Sequence, residues 1–453
     1  MTLKSASLVF RYTGIVLLAL AVGTSTLTFS WLFGEPSDPR IFREFAAPVI
    51  YLSDLFSLVG LALWTVSWVL RGRPTLRLGP SYISVPMAVL AVAGLFSALW
   101  AIDSRIALLN GLRLGGLFVM YFVFVNEYRR ATPIVAAVLI TLGVLHAVVA
   151  VAQIVNDAPL GLTTLGEIVD NAALNSYLKL GGRPSGLGFN PNPVGMLMGI
   201  GSVLSFAAFL LIRRSVLGRV ALIAAFLIST VGLVATKSRW EIVVWVIAMT
   251  VVVFFAWRSG PMNRPTLRRN ILLPVALLAV ILTASVPVLF NQEASGLARN
   301  VLTPSGVTVA WQIRLDNWSQ SLDIVREYPL IGVGLGSYSQ ALAMDKPPDN
   351  WGRTTVPVDS VPLLALAELG PVGAIAMIVL LASPIVLLTT LSHKRASASQ
   401  MMWVGPMVIL VLAALLEYYP WATQDGRVLL WAVLGLWIGE SLSVGASSRD
   451  RSA

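Results

Sequence analysis

"VPLLALAELGPVGAIAMIVLLASPIVLLTT", residues 361–390, decides the fold: thirty residues carry a single ionisable side chain, Glu368. About 20 apolar residues suffice to cross a hydrocarbon core of about 30 Å, and a run of this kind reads as a membrane-spanning helix. Similar runs recur along nearly the whole chain. Of its 453 residues, 57% are hydrophobic and 12% charged, and the mean hydropathy is +0.80, far from a soluble globular profile. The expectation is an all-α polytopic integral membrane protein, one transmembrane domain over 1–453. About twelve spans are expected, at 12–33, 48–70, 82–100, 106–126, 133–155, 193–212, 219–236, 240–257, 271–290, 361–390, 401–418 and 428–446.

The first run is followed by Glu35 and Asp38 without a small-residue cleavage site, so it reads as a retained helix and not as a signal peptide. An even number of spans puts both termini on one side. The short segments on that side are basic, with Lys4, Arg11, Arg71, Arg73, Arg77, Arg129 and Arg130 and further arginines up to Arg451; basic short loops stay cytoplasmic. Both termini are therefore expected in the cytoplasm, and the net charge of +10 reads as topogenic, not as a nucleic-acid footprint. The lack of cysteine excludes disulfides, thiolate catalysis and Cys-ligated zinc. The two histidines, His146 in the fifth run and His393 in a basic loop, are too few and too separated for a His-based metal site. His146 is expected to be an interhelical hydrogen-bond partner.

Two segments on the outer side are long, 156–192 and 291–360, so function is expected on that face. The second contains "VAWQIRLDNWSQSLDIVREYPLIGVGLGSYSQ", in which Trp311, Leu315, Trp318, Leu322 and Val325 alternate four- and three-residue steps. This is an amphipathic helix, whose stripe either lies on the membrane interface or packs on the tops of the spans. Pro329 follows, and Gly332, Gly334 and Gly336 then make a tight turn or allow close backbone approach. Without a preceding strand they do not form a dinucleotide loop. The segment 156–192 runs out through "GGRPSGLGFNPNPVGM", whose Gly and Pro content implies fixed irregular backbone. Such backbone is tolerated at membrane depth only against protein or a water-filled cavity.

Ionisable groups near the outer ends of spans mark a substrate path by default; here they are Asp54, Arg113, Arg239 with Glu241, Asp359, Glu368 and Glu417. Lys237, Ser238 and Arg239 occupy a minimal turn between the seventh and eighth runs. A guanidinium there suits phosphate, because its planar fork gives two parallel charge-assisted hydrogen bonds. The competing reading is headgroup snorkelling or a salt bridge with Glu241. Arg314 and Arg183 are further candidates, and Arg326 a weaker one; spacing alone leaves open whether arginines from three outer segments converge on one anion. Asp359 either caps the helix that follows it or acts chemically, and the two roles are compatible. Glu368, about two and a half turns deeper, reads as a structural hydrogen-bond partner.

"GFNPNPVG", "TKSRW", "IRLDNWSQSLDIVREYPLIGVGLGSYSQ" and "DSVPLLALAELGPVG" resemble, in order, the conserved blocks of the O-antigen ligase and O-antigen polymerase superfamily, over about 180–375. The resemblance implies a GT-C-type membrane glycosyltransferase in the bacterial cytoplasmic membrane. Its donor would be an undecaprenyl-pyrophosphate-linked glycan, and its acceptor a glycan or a lipid-linked molecule on the outer face. It makes Arg239 and Arg314 the pyrophosphate-binding arginines and position 359 the base, while Arg183 stays a third pyrophosphate candidate on its own reading as an outer arginine. Ser238, Glu241, Trp318 and Glu368 would support them. Ligases carry histidine where this chain has Asp359, followed here by Ser360, nine residues and Gly370 to Gly373. That departure favours a polymerase or another glycan ligase over a lipid A-core ligase. A carboxylate can serve as base if burial raises its pKa from about 4.

The expected reaction is a direct, inverting displacement on the anomeric carbon, with no cofactor and no metal, since no outer DxD pair or histidine cluster is present. The alternative from another class is a twelve-helix transporter or lipid-linked glycan flippase. It fits less well, because no internal repeat is visible. A non-catalytic assembly scaffold is a third reading.

Overall fold

The computed structural model describes residues 3–34, 36, 38, 41–167, 183–211, 215–258, 304–345, 356–393 and 398–449. Most of this is helix. The first helix, α1 (Leu3–Thr24), begins and ends earlier than the expected span 12–33. The hydroxyls of Ser25 and Thr26 turn back onto the carbonyls of Val22 and Gly23, each at 2.8 Å, and close the helix. The chain then forms β1 (Ser30–Leu32), paired antiparallel with β2 (Val49–Tyr51), with the short α2 (Arg43–Ala46) between them.

Three helices follow: α3 (Leu52–Leu70), α4 (Ser81–Phe96) and α5 (Ser104–Asn156). The last holds two expected runs, 106–126 and 133–155, in 53 residues without a break in the helix. A straight helix of that length would be about 80 Å long, against a core of about 30 Å. Its contacts show that it doubles back. Along the first arm Arg113 meets Asp54 and Glu127 meets Arg71, so this arm runs parallel to α3. Along the second arm Glu127 meets Arg11 while Val138 and Leu142 lie against Gly23, so that arm runs parallel to α1. Helices α1 and α3 are themselves antiparallel, with Ser67 bonded to Ser7 and Gly14 against Gly60. The reversal falls near Pro133, which cannot donate the next helical hydrogen bond.

The remaining helices are α6 (Pro191–Leu211), α7 (Val216–Ala235), α8 (Arg239–Arg258), α9 (Pro304–Glu327), α10 (Tyr338–Asp345), α11 (Val361–His393), α12 (Ala398–Leu416), α13 (Tyr419–Ala422) and α14 (Gln424–Arg449). Among the described residues, eight helices are long and apolar enough to cross a membrane, counting α5 once. The expected run 271–290 lies outside the described residues. At the centre stands α6, with 89% of its apolar window buried, against 22% for α3 at the rim. Gly143 and Gly201 let the second arm of α5 and α6 approach to backbone contact. At the rim Val85, Val92, Ile375 and Ile378 are exposed, as a lipid-facing surface requires.

The amphipathic helix is α9, and neither reading of its stripe holds along its whole length. Ser321 and Ile324 are buried, Trp318 and Val325 are partly buried, and Trp311, Leu315 and Leu322 are exposed. The buried side is thus turned away from the predicted stripe. After it, Gly332, Gly334 and Gly336 all take positive φ. Val333 and Gly334 donate their backbone N–H groups to the carbonyls of Ala367 and Glu368 in α11, each at 2.9 Å. Helix α11 bends there, at Gly370 with φ 66° and ψ −165°. Close backbone approach is the role these glycines play.

Candidate active site

The turn between α7 and α8 is built by its own short side chains. Thr236 bonds back to the carbonyl of Leu233 at 2.7 Å, Lys237 takes a left-handed conformation, and Arg239 opens the next helix. Arg183 reaches this turn from the segment before α6. Its Nε donates to the carbonyl of Thr236 at 3.1 Å, and its Nη2 donates to Asn192 Oδ1 at 2.5 Å and Ser238 Oγ at 3.2 Å. Ser238 in turn donates to Asn192 Oδ1 at 2.9 Å. Asn192, read from sequence only as part of an irregular backbone, is thus the acceptor that ties two candidate residues together. His146 fastens the same segment: its Nδ1 accepts from the Leu187 N–H at 3.3 Å. Its partner is this loop and not another helix.

Helix α9 brings Arg314 over the end of α12. Its Nη1 donates to the carbonyl of Leu416, and its Nη2 pairs with Glu417 at 2.8 Å. Asp359 Oδ2 lies 3.9 Å from the same guanidinium. Trp318, one turn along α9, donates its indole N–H to the Asp359 carbonyl at 3.4 Å. The Asp359 side chain therefore faces arginine; the N-cap place before Val361 falls to Ser360, whose carbonyl accepts from Leu364. Burial, reinforced by Glu417, pushes the Asp359 carboxyl up to about 7, against the opposing pull of Arg314 and a hydrogen bond from Asn317.

One cavity of about 300 Å³ is lined by Arg183, Lys237, Ser238, Arg239, Glu241, Arg314 and Glu417, with Asn192, Trp240 and Trp311; Asp359 and Trp318 are not among its lining residues, and Asp359 adjoins it through Arg314. Four cations face two carboxyls across it. Arg183 and Arg314 are held by protein acceptors, whereas Arg239 makes no hydrogen bond or ion pair among the described residues. The expected alternative, a salt bridge between Arg239 and Glu241, does not form: both Glu241 oxygens are buried and lack a hydrogen-bond partner among the described residues. Burial and the neighbouring Arg183 lower the Lys237 ammonium.

Residues 224–378 match the O-antigen ligase family. The matched region runs from α7 into α11 and so contains Ser238, Arg239, Glu241, Arg314, Trp318, Asp359 and Glu368, but not Arg183 or Glu417. No curated protein matches the chain.

Three expected members of the outward constellation stand apart from this cavity. Glu368 accepts from Gly336 N–H and from the Trp421 indole, each at 2.9 Å, and so supports the glycine turn. Arg113 and Asp54 pair with each other at 2.7 Å, and Asp54 also accepts from the Tyr51 N–H, so both serve the start of α3. Glu417 and Lys237 do line the cavity. Their charge in an apolar chain is visible in sequence, but their partners are not.

Proposed function

We propose that the chain transfers a glycan from an undecaprenyl-pyrophosphate carrier to an acceptor hydroxyl, as a GT-C-type polysaccharide polymerase or glycan ligase. It works on the outer face of the bacterial cytoplasmic membrane, with both termini inside. The observation that carries this reading is that Arg183, Arg239 and Arg314, from three separate segments, line one cavity with Asp359 3.9 Å from Arg314.

Arg239 and Arg314 bind the pyrophosphate, and Arg183, fixed by Asn192 and Thr236, adds positive charge at its edge. Asp359 takes the proton from the acceptor hydroxyl. The acceptor oxygen forms the new bond to the anomeric carbon as the bond from that carbon to the pyrophosphate oxygen breaks. The electron pair leaves on the pyrophosphate, and the anomeric configuration inverts. Fixed positive charge at the leaving group supplies the main catalytic term. Ser238 and Trp318 act through the residues they hold, and Glu241 is a buried acceptor available to a donor group of the substrate. No divalent metal enters this scheme, so turnover should survive EDTA.

The test is transfer by purified protein from a synthetic lipid-pyrophosphate-linked glycan to an acceptor glycan, read as product on a gel. Loss of product in Asp359→Asn at equal folded protein is expected. Movement of intact lipid-linked glycan across vesicles, with no glycosyl–phosphate bond broken, would overturn the reading in favour of a flippase.

A further inference from the structure

At the end of the bundle opposite the cavity, three arginines from three helix segments converge on one carboxylate. Glu127, at the bend of α5, has a side chain only 1% exposed. Its Oε1 accepts from Arg11 Nε at 2.7 Å and from the Trp64 indole at 3.2 Å, with Arg71 Nη2 at 3.8 Å; its Oε2 accepts from Arg130 Nη1 at 3.4 Å. Arg130 also donates to the Tyr12 hydroxyl at 3.3 Å. One negative charge thus meets three positive ones in a partly dehydrated place.

A bias of basic residues toward one side of the membrane accounts for arginines strung along loops. It does not account for guanidiniums drawn inward from α1, α3 and α5 onto a single carboxylate. Each guanidinium carries five N–H donors, and the Glu127 carboxylate is already shared with an indole, so the cluster retains donors and charge for a further acceptor. Beside it, Leu8, Tyr12, Val16 and Leu20 recur every four residues on the exposed face of α1, an apolar track that starts at the cluster. Basic pockets between spans with an adjoining apolar track match a phosphate headgroup with its acyl chain.

We infer that this end of the bundle binds one anionic phospholipid, its phosphodiester between Arg71 and Arg130 and an acyl chain along Tyr12, Val16 and Leu20. The site is independent of the transfer reaction.

The test uses the full chain in phosphatidylcholine nanodiscs doped with phosphatidylglycerol, with lipid retention read by native mass spectrometry. Arg71→Gln combined with Arg130→Gln leaves Glu127 paired with Arg11 and Trp64, so the carboxylate is not stranded. Arg73→Gln combined with Arg77→Gln removes the same charge from the same loop region outside the cluster. Phosphatidylglycerol retention should weaken roughly 30-fold in the first variant and stay near wild type in the second. Equal loss in both variants would reduce the effect to diffuse charge and overturn the proposal. Abolition of retention by millimolar inorganic phosphate would make this a free-phosphate site and overturn the lipid assignment.

Discussion

Replacing Arg239 by lysine separates charge from geometry at the cavity wall. Arg239 is half-buried at the start of α8 and makes no hydrogen bond or ion pair among the described residues, so the change removes no hydrogen bond or ion pair within them. Its effect on stability should stay within about 0.5 kcal/mol. Lysine keeps the positive charge but cannot present two parallel donors. Loss of one charge-assisted hydrogen bond is worth about 1.5–3 kcal/mol, so kcat/KM should fall roughly 10- to 150-fold. A bond that strengthens as charge builds on the departing oxygen lowers kcat, whereas one equally strong in the ground state raises KM alone. Initial rates of glycan transfer from the lipid-linked donor, at equal folded protein, distinguish these outcomes. Arg314→Lys is a poorer probe, because it also gives up the contacts with Glu417 and Leu416. A rate within about twofold of wild type for Arg239→Lys would remove this residue from the pyrophosphate clamp.

Asp359 is pushed up to about 7, and its basic form grows as pH rises, so the rate should climb through about pH 7 and level off above it; a flat profile across that range refutes the base assignment. Glu417→Gln removes a charge that raises Asp359 and releases Arg314 toward it, and both effects favour the carboxylate. The inflection should therefore move below 7, and an upward shift in the pH–rate profile would contradict this account. Glu368→Ala strands the Gly336 N–H and the Trp421 indole, at about 1–3 kcal/mol for each unpaired group. A lower melting temperature with near-normal kcat per folded molecule is expected; a normal melting curve with dead enzyme would count against its supporting role.

Spans are legible in this sequence because lipid leaves no room for charge, and most apolar runs fall on helices within a few residues. The first does not, because residues 25–33 remain largely apolar while the hydroxyls of Ser25 and Thr26 end the helix locally. Arg183, Arg239 and Arg314 are legible as chemistry for the same reason, yet their convergence depends on the packing of α6, α8 and α9, which no spacing encodes. The expected Arg239–Glu241 bridge fails on elementary geometry, since residues two apart on a helix do not face each other. Asn192 carries no charge and sits among prolines, so nothing in its surroundings marks it as the clamp on Arg183. Asp54 and Arg113 stand out as charges, but 59 residues separate them, and only the fold reveals that each neutralises the other.

The unbroken reversal in α5 governs how this chain can be assembled and mapped. With no loop between them, its two arms have to enter the bilayer together as one helical hairpin. An epitope inserted between the arms would interrupt continuous helix, whereas the helix ends at Asn156. A reporter-fusion map that scores α5 as a single crossing would assign every segment after residue 156 to the wrong side of the membrane, the cavity of Arg183, Arg239 and Arg314 included.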